Sequence, residues 1–197
     1  MKNFSIFATL LAVFAFSTFS FTTEPTVKKV SSTESQIIWK GYKVTGSHTG
    51  TIDIKDGSLE FDGETLTGGN FVIDMSTLKT TDLTGKSAQK LEGHLKSADF
   101  FGIENYPSAN FAITNVVSRG TVGEYKIIGN LTIKETTNPI KFNAVVKRDA
   151  GKNIATANIT IDRSDYDIRY GSGSFFDNLG DKTIYDEFEL EVKLVTK

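Results

Sequence analysis

The sequence predicts an all-β chain, an antiparallel barrel of eight strands, and three observations carry that expectation. From about residue 36 onward apolar and polar residues alternate, the period-two pattern of strands with one buried face. The alternating segments are separated at short spacing by Gly, Asn and Asp, the residues that turns favour. Segments of this kind, about eight in number and joined as a meander, remove every exposed edge when they close into a barrel rather than stack as a sandwich.

The chain opens differently. Met1-Lys2-Asn3 place one positive charge ahead of an apolar run from Phe4 to Phe21, interrupted only by Ser5, Thr9, Ser17, Thr18 and Ser20. This is a signal-peptide pattern, and Thr18-Phe19-Ser20 offers a small-x-small cleavage site. Residues 1–21 are therefore set apart as a leader, and residues 22–197 as one domain of a periplasmic or secreted protein with no integral membrane segment once the leader is gone. A retained anchor is the rival, and a run this short lies near the lower limit of ~17–25 residues for a spanning helix.

The strands follow in order. Ile38, Tyr42 and Val44 form one side of a first strand, with Trp39 among the residues that alternate with them. Ile52 and Ile54 come next, then Asp56-Gly57 as an expected two-residue turn, then Leu59 and Phe61, then a second turn at Asp62-Gly63, both dipeptides being favoured in tight hairpins. Phe71, Ile73 and Met75 alternate, as do Ala109, Phe111 and Ile113 just after Pro107. Tyr125, Ile127, Gly129, Leu131 and Ile133 give the clearest amphipathic strand. Ile140, Phe142, Ala144 and Val146 form another, followed by Ala155, Ala157, Ile159 and Ile161, and finally Phe188, Leu190, Val192 and Leu194 against Glu187, Glu189, Glu191 and Lys193.

Two stretches break the alternation. Between Thr77 and Pro107, Ala88, Leu91 and Leu95 stand at helical spacing, so a short helix near Ser87–Leu95 is expected, followed by the loop Lys96 to Phe101. The second insertion, Asp162 to Asp186, carries Tyr166, Tyr170, Phe175 and Phe176 around Gly171-Ser172-Gly173-Ser174. Long irregular connections in compact domains are commonly lids or binding loops, and two that bear aromatic residues are placed to cap a barrel mouth.

Composition excludes several chemistries. There is no Cys, so disulfides, thiol catalysis and Cys-based zinc sites are ruled out. The formal net charge is −2 with both signs scattered, and the chain lacks the basic block that would track nucleic acid. The two histidines, His48 and His94, match no zinc-ligand spacing and suit structural or solvent-facing roles. No G-x-S-x-G elbow appears. The acidic residues of the second insertion, Asp162, Asp165, Asp167, Asp177, Asp181 and Asp186, lack the calcium-loop pattern and are read as pairing with Arg163 and Arg169 to order the loop. Asn130-Leu131-Thr132 and Asn158-Ile159-Thr160 match a glycosylation acceptor but fall inside strands. No catalytic residue, metal or cofactor is assigned. What remains is aromatic content, 15 Phe, 6 Tyr and 1 Trp, which packs a filled barrel or lines a hollow one equally well.

Several motifs resemble a known family: His48-Thr49-Gly50, the run Leu91-Glu92-Gly93-His94-Leu95-Lys96-Ser97-Ala98-Asp99-Phe100-Phe101, Tyr106-Pro107, Gly129-Asn130-Leu131-Thr132-Ile133, Ile161-Asp162-Arg163-Ser164-Asp165-Tyr166 and Gly180-Asp181. From about Val27 to Val195 the chain resembles the YceI-like family of periplasmic polyisoprenoid-binding proteins. The resemblance implies an extended lipocalin-like barrel whose elongated apolar tunnel holds an isoprenoid or fatty-acid-like lipid without covalent change. Strand parity then nominates Phe111, Ile113, Tyr125, Ile127, Leu131, Phe142 and Val146 as tunnel lining, with Phe100, Phe101, Phe175 and Phe176 at the mouth. A polar head group would meet His94, Asp99 or Arg163. The competing readings are a secreted stress or interaction scaffold with a filled barrel, and an enzyme using His48 or His94, for which no nucleophile and base pattern exists. The sequence leaves open whether the chain forms a homodimer.

Overall fold

In the computed structural model, which describes residues 24–197, the expected leader lies outside the described part of the chain. The strands are β1 (Thr26–Lys29), β2 (Gln36–Lys43), β3 (Gly46–Asp62), β4 (Thr65–Thr80), β5 (Ser108–Ser118), β6 (Glu124–Ile133), β7 (Thr136–Asp149), β8 (Lys152–Asp162) and β9 (Ile184–Val195), and one helix, α1 (Gly85–Lys96), stands between β4 and β5. Every pairing is antiparallel. β2 through β8 each pair with the next strand, and β2 also pairs with β9, which closes an eight-stranded up-and-down barrel.

β1 lies outside that ring. β2 covers the first part of β3, with Ile37 opposite Ile52, and β1 covers its last part, with Thr26 opposite Phe61. Two short strands thus line up along one long strand. At this end the chain ends also meet: Val30 bridges Thr196, and the Lys197 N–H donates to the Lys29 carbonyl at 2.8 Å.

The alternation of β4 to β9 is that expected, and its apolar face is the inner one. The expected turn at Asp56-Gly57 does not form. β3 runs through it, with Asp56 opposite Val72 and Gly57 opposite Phe71 across a shift in register. Gly57 is needed there because a Cβ would lie 2.8 Å from the Phe71 ring, a close approach that glycine permits. The second turn does form, one residue later than expected: Gly63-Glu64 joins Asp62 to Thr65, with Gly63 at φ +59, a left-handed conformation that glycine adopts freely. In β2 the buried face is that of Ile37 and Trp39, so Ile38 points outward. Tyr42 keeps to that outer side at the rim, its hydroxyl donating to Glu189 and its ring under Lys40, where the ladder with β9 shifts register between Gly41 and Lys43.

Chain direction places one set of connections at each end. The β2–β3 hairpin, α1, residues 97–107, the β6–β7 hairpin and residues 163–183 form one mouth, called here the upper end. The lower end is sealed by buried residues, among them Leu59, Phe61, Leu66 and Tyr125, and the Leu66 N–H donates to the Tyr125 hydroxyl at 3.3 Å.

Candidate functional site: a capped apolar cavity

The barrel is hollow. Its interior holds a cavity of about 660 Å³, within the ~300–1,000 Å³ usual for small-molecule sites. The walls are the inner faces of all eight barrel strands: Trp39, Ile54, Phe71, Phe111, Ile127 and Phe142 are representative. Aromatic rings meet along one side, Phe111 lying 6.4 Å from Phe71 and 5.6 Å from Phe142 between ring centroids. Gly129 makes room for this cluster, since a Cβ there would sit 2.5 Å from Phe111 Cζ.

β4 contributes more than parity forecasts. Between Lys79, opposite Thr51, and Asp74, opposite Asp53, it carries extra residues that bulge from the ladder. Asp74 holds the bulge by accepting from the Ser76 N–H and hydroxyl, while Thr77 Oγ1 donates to the Asp74 carbonyl and accepts from the Asp53 N–H. Met75 and Leu78, three residues apart, are both buried in the cavity wall as a result.

The upper mouth is capped by α1, by the loop that follows it and by the second insertion. Leu91, His94 and Leu95 of α1, then Phe100 and Phe101, face the cavity. The loop is ordered by its own backbone: the Gly102 N–H donates to the Ser97 carbonyl at 2.8 Å and the Phe101 N–H to that of Leu95 at 3.1 Å. Phe100 contacts Phe101 edge to face at 5.0 Å, and Phe101 reaches Phe188 of β9 at 6.5 Å.

Arg163 fixes the second insertion. Its side chain is 2% exposed and donates through Nη1 to the Ile168 carbonyl at 2.6 Å, through Nη2 to that of Ile184 at 2.9 Å and through Nε to that of Tyr185 at 3.2 Å. Nη2 also lies 3.0 Å from Asp186 Oδ1, and Asp186 Oδ2 accepts from the Ser172 and Ser174 hydroxyls at 2.9 and 2.7 Å. The guanidinium caps Phe100 at 5.3 Å from its centroid. Burial lowers the Arg163 pKa, opposed by Asp186 and Asp162.

His94 sits between Phe100 and Tyr170, at 5.6 and 4.3 Å between ring centroids. Its Nε2 is buried without a hydrogen-bond partner. Burial pushes the imidazole below its ordinary pKa; the Asp99 carboxylate opposes this and the Arg163 cation reinforces it. His94 is a neutral ring in an apolar cap.

His48 stands elsewhere on the rim. Its Nδ1 lies 2.9 Å from Asp82 Oδ2, and Asp82 also accepts from the Thr49 N–H and the Thr80 hydroxyl. Burial opposes ionisation of Asp82, but the bonds from Thr80, His48 and Thr49 prevail and hold its pKa at about 2. Glu92 of α1 accepts from the Thr80 N–H at 2.9 Å, which joins helix, strand and hairpin in one polar network.

Of the residues nominated from the sequence, the cavity brings together Phe100, Phe101, Phe111, Ile113, Ile127, Leu131, Phe142 and Val146. Tyr125 shares their parity but lies in the seal of the lower end, outside the cavity lining. Phe175 and Phe176 are 40% and 50% exposed and also lie outside it, Phe175 stacking under Arg169 at 4.8 Å. His94 and Arg163 line the cavity, whereas Asp99 is exposed beside the cap and does not. Arg163 braces the insertion with donors already engaged. The sequence reading missed Leu78, Lys43 and Lys90, all of which line the cavity. Among the described residues no cluster of acidic and histidine side chains could hold a metal ion.

Fold and cavity define a hollow up-and-down β-barrel with a helical cap. The chain belongs to the YceI-like domain family, whose model matches residues 21–196. Curated relatives include a UPF0312 protein of Photorhabdus laumondii, 34% identical over 48% of this chain and 46% of that protein, and one of Staphylococcus aureus, 36% identical over 50% of this chain and 61% of that protein. The chain thus spans about half to three fifths of the length of these relatives. The fold is similar to Burkholderia cenocepacia BcnA, with a TM-score of 0.66 at 18% identity, covering 85% of this chain and 99% of that one. It is also similar to a polyisoprenoid binding domain from Saccharophagus degradans, with a TM-score of 0.62 at 15% identity, covering 86% and 97%.

Proposed function

We propose that this protein is an exported, non-catalytic carrier that binds one long apolar lipid, a polyisoprenoid or a similar amphiphile, in the barrel interior. The observation that carries the reading is the cavity of about 660 Å³, walled by the apolar faces of eight strands and capped at one end. A hydrocarbon chain entering such a space exchanges water for dispersion contacts, a gross gain of ~0.8 kcal/mol per buried methylene before ordering losses. The polyisoprenoid-binding description of the Saccharophagus degradans neighbour supports the same class of ligand, and the signal-like run at residues 4–21 supports export. Among the described residues neither imidazole is hydrogen-bonded to a hydroxyl that could serve as a nucleophile: His48 bonds Asp82, and His94 lies among aromatic rings.

The test is mass spectrometry of organic extracts from protein purified without detergent from its native host. A stoichiometric long-chain lipid is the expected result. An extract without lipid, from protein that also fails to take up added lipid, would refute the carrier role.

A further inference from the structure

The cavity lining contains Lys43, His48, Lys90, His94 and Arg163 but no Asp or Glu, in a chain whose formal net charge is −2. An apolar cavity with ionisable walls of one sign is complementary to a ligand of the other sign. The cations are not equivalent. Arg163 spends its donors on three carbonyls and Asp186, and His94 is held toward its neutral form by burial. Lys43 and Lys90 are exposed at the rim, and neither has an ion-pair or hydrogen-bond partner among the described residues.

Topology brings the two lysines to one part of the mouth. Lys43 closes β2 opposite Gly46, and His48 stands opposite Gly41 on the same hairpin. The His48–Asp82 contact and the Thr49 N–H to Asp82 bond tie this hairpin to the segment leading into α1. On α1, Ser87, Lys90, Leu91 and His94 all face the cavity, the spacing of a single helical face. Its first turn holds no acidic residue. The nearby carboxylates are already engaged, Asp82 by His48, Thr49 and Thr80, and Glu189 by the Tyr42 hydroxyl at 2.9 Å. Long lysine stems can lie along the apolar wall while the ammonium groups remain at the water boundary, where a charged head would stop while its chain descends.

We propose that this rim is an anionic head-group subsite, in which Lys43 and Lys90, with His48 beside them, receive the carboxylate or phosphate of an amphiphile whose chain fills the cavity. The proposal rests on the carrier reading and narrows it, from apolar lipids in general to singly headed anionic ones. It also assigns the head to the side of the mouth formed by the β2–β3 hairpin and α1.

The experiment uses delipidated protein and displacement of Nile red, a neutral dye, by four probes: hexadecanoate, hexadecanol, geranylgeranyl phosphate and geranylgeraniol. At low salt the matching anion should bind on the order of ten-fold tighter than the alcohol of the same chain, the scale of two exposed charge contacts together, and high salt should shrink that advantage. In the Lys43→Gln, Lys90→Gln double variant the anion-to-alcohol ratio should fall to about two-fold or less. The ratio is the readout, so a partly unfolded variant, which weakens both probes alike, does not mimic the effect. A larger ratio for the carboxylate pair or for the phosphate pair tells which head the subsite takes. Equal affinity for anion and alcohol in the unaltered protein, or a ratio unchanged in the double variant, would overturn the proposal. Failure of all four probes to bind would overturn the carrier reading itself.

Discussion

Arg163 Nη2 lies 3.0 Å from Asp186 Oδ1, joining the start of the second insertion to the start of β9 across the cap. Because the guanidinium is buried and also serves three carbonyls, removing it leaves those carbonyls without this donor and leaves the Asp186 carboxylate, at 14% side-chain exposure, without its counter-charge. Truncating one member of such a pair costs about 3–5 kcal/mol. Arg163→Met should lower unfolding stability by roughly this amount in urea titrations. A loss below about 1 kcal/mol, the scale of an exposed pair, would show that the cap does not depend on this contact.

Gly129 lies under the ring of Phe111, and Ala112 O is 2.6 Å from where its Cβ would be. Neither backbone nor ring can withdraw without disturbing the β5–β6 ladder. Gly129→Ala should cost about 1–3 kcal/mol, read as a shift in the urea midpoint at unchanged slope. Gly63→Asn, at an open turn with positive φ, should cost less, since asparagine tolerates that conformation.

Ile127 is 2% exposed and faces the hollow interior. Replacing it with Trp should therefore occupy space rather than overpack a solid core. Ile127→Trp is expected to keep the far-ultraviolet circular dichroism of the barrel while uptake of a fluorescent long-chain lipid falls by at least about ten-fold. Unchanged uptake in a folded variant would remove Ile127 from the binding wall.

His94 has a depressed pKa from burial, offset by Asp99 and reinforced by Arg163. The unfolded chain then takes up a proton before the folded one as pH falls below the ordinary value of 6.5, so the folded state loses stability in that window. His94→Phe keeps an aromatic ring in the cap but cannot titrate. Urea unfolding at pH 7 and pH 5 should show a larger drop for the unaltered protein than for the variant, and equal drops would contradict the assignment.

The barrel was legible because each strand from β4 to β9 keeps one apolar face, and a period of two survives without knowledge of neighbours. Dipeptide chemistry was less informative. Asp56-Gly57 reads as a turn by composition, yet its glycine serves a close approach of Phe71. Parity assigned Tyr125 to the same face as Ile127, but it cannot say how far along the axis a residue sits, and Tyr125 belongs to the sealed end. Phe175 and Phe176 were nominated on aromatic character alone, whereas their exposure follows from an insertion organised around Arg163 and Ser172. Lys43 and Lys90 were invisible because their place on one rim exists only after the β2–β3 hairpin and α1 are brought together, and Leu78 because a bulge replaces alternation beyond Met75.

The pairing of β2 with β9 has a further consequence, for the order of assembly. All other barrel pairings join strands adjacent in the chain, through tight turns or, for β4–β5 and β8–β9, through residues 81–107 and 163–183, so each closes far less chain than β2 with β9. β2 and β9 are separated by nearly the whole domain, with Trp39 opposite Leu190, and the terminal contact of Lys29 with Lys197 is equally remote. Up to that step the chain can exist as a curled sheet with two raw edges and its greasy interior open to water. The circle, and with it the enclosure of the cavity, is completed by one long-range pairing, the costliest loop closure in the barrel.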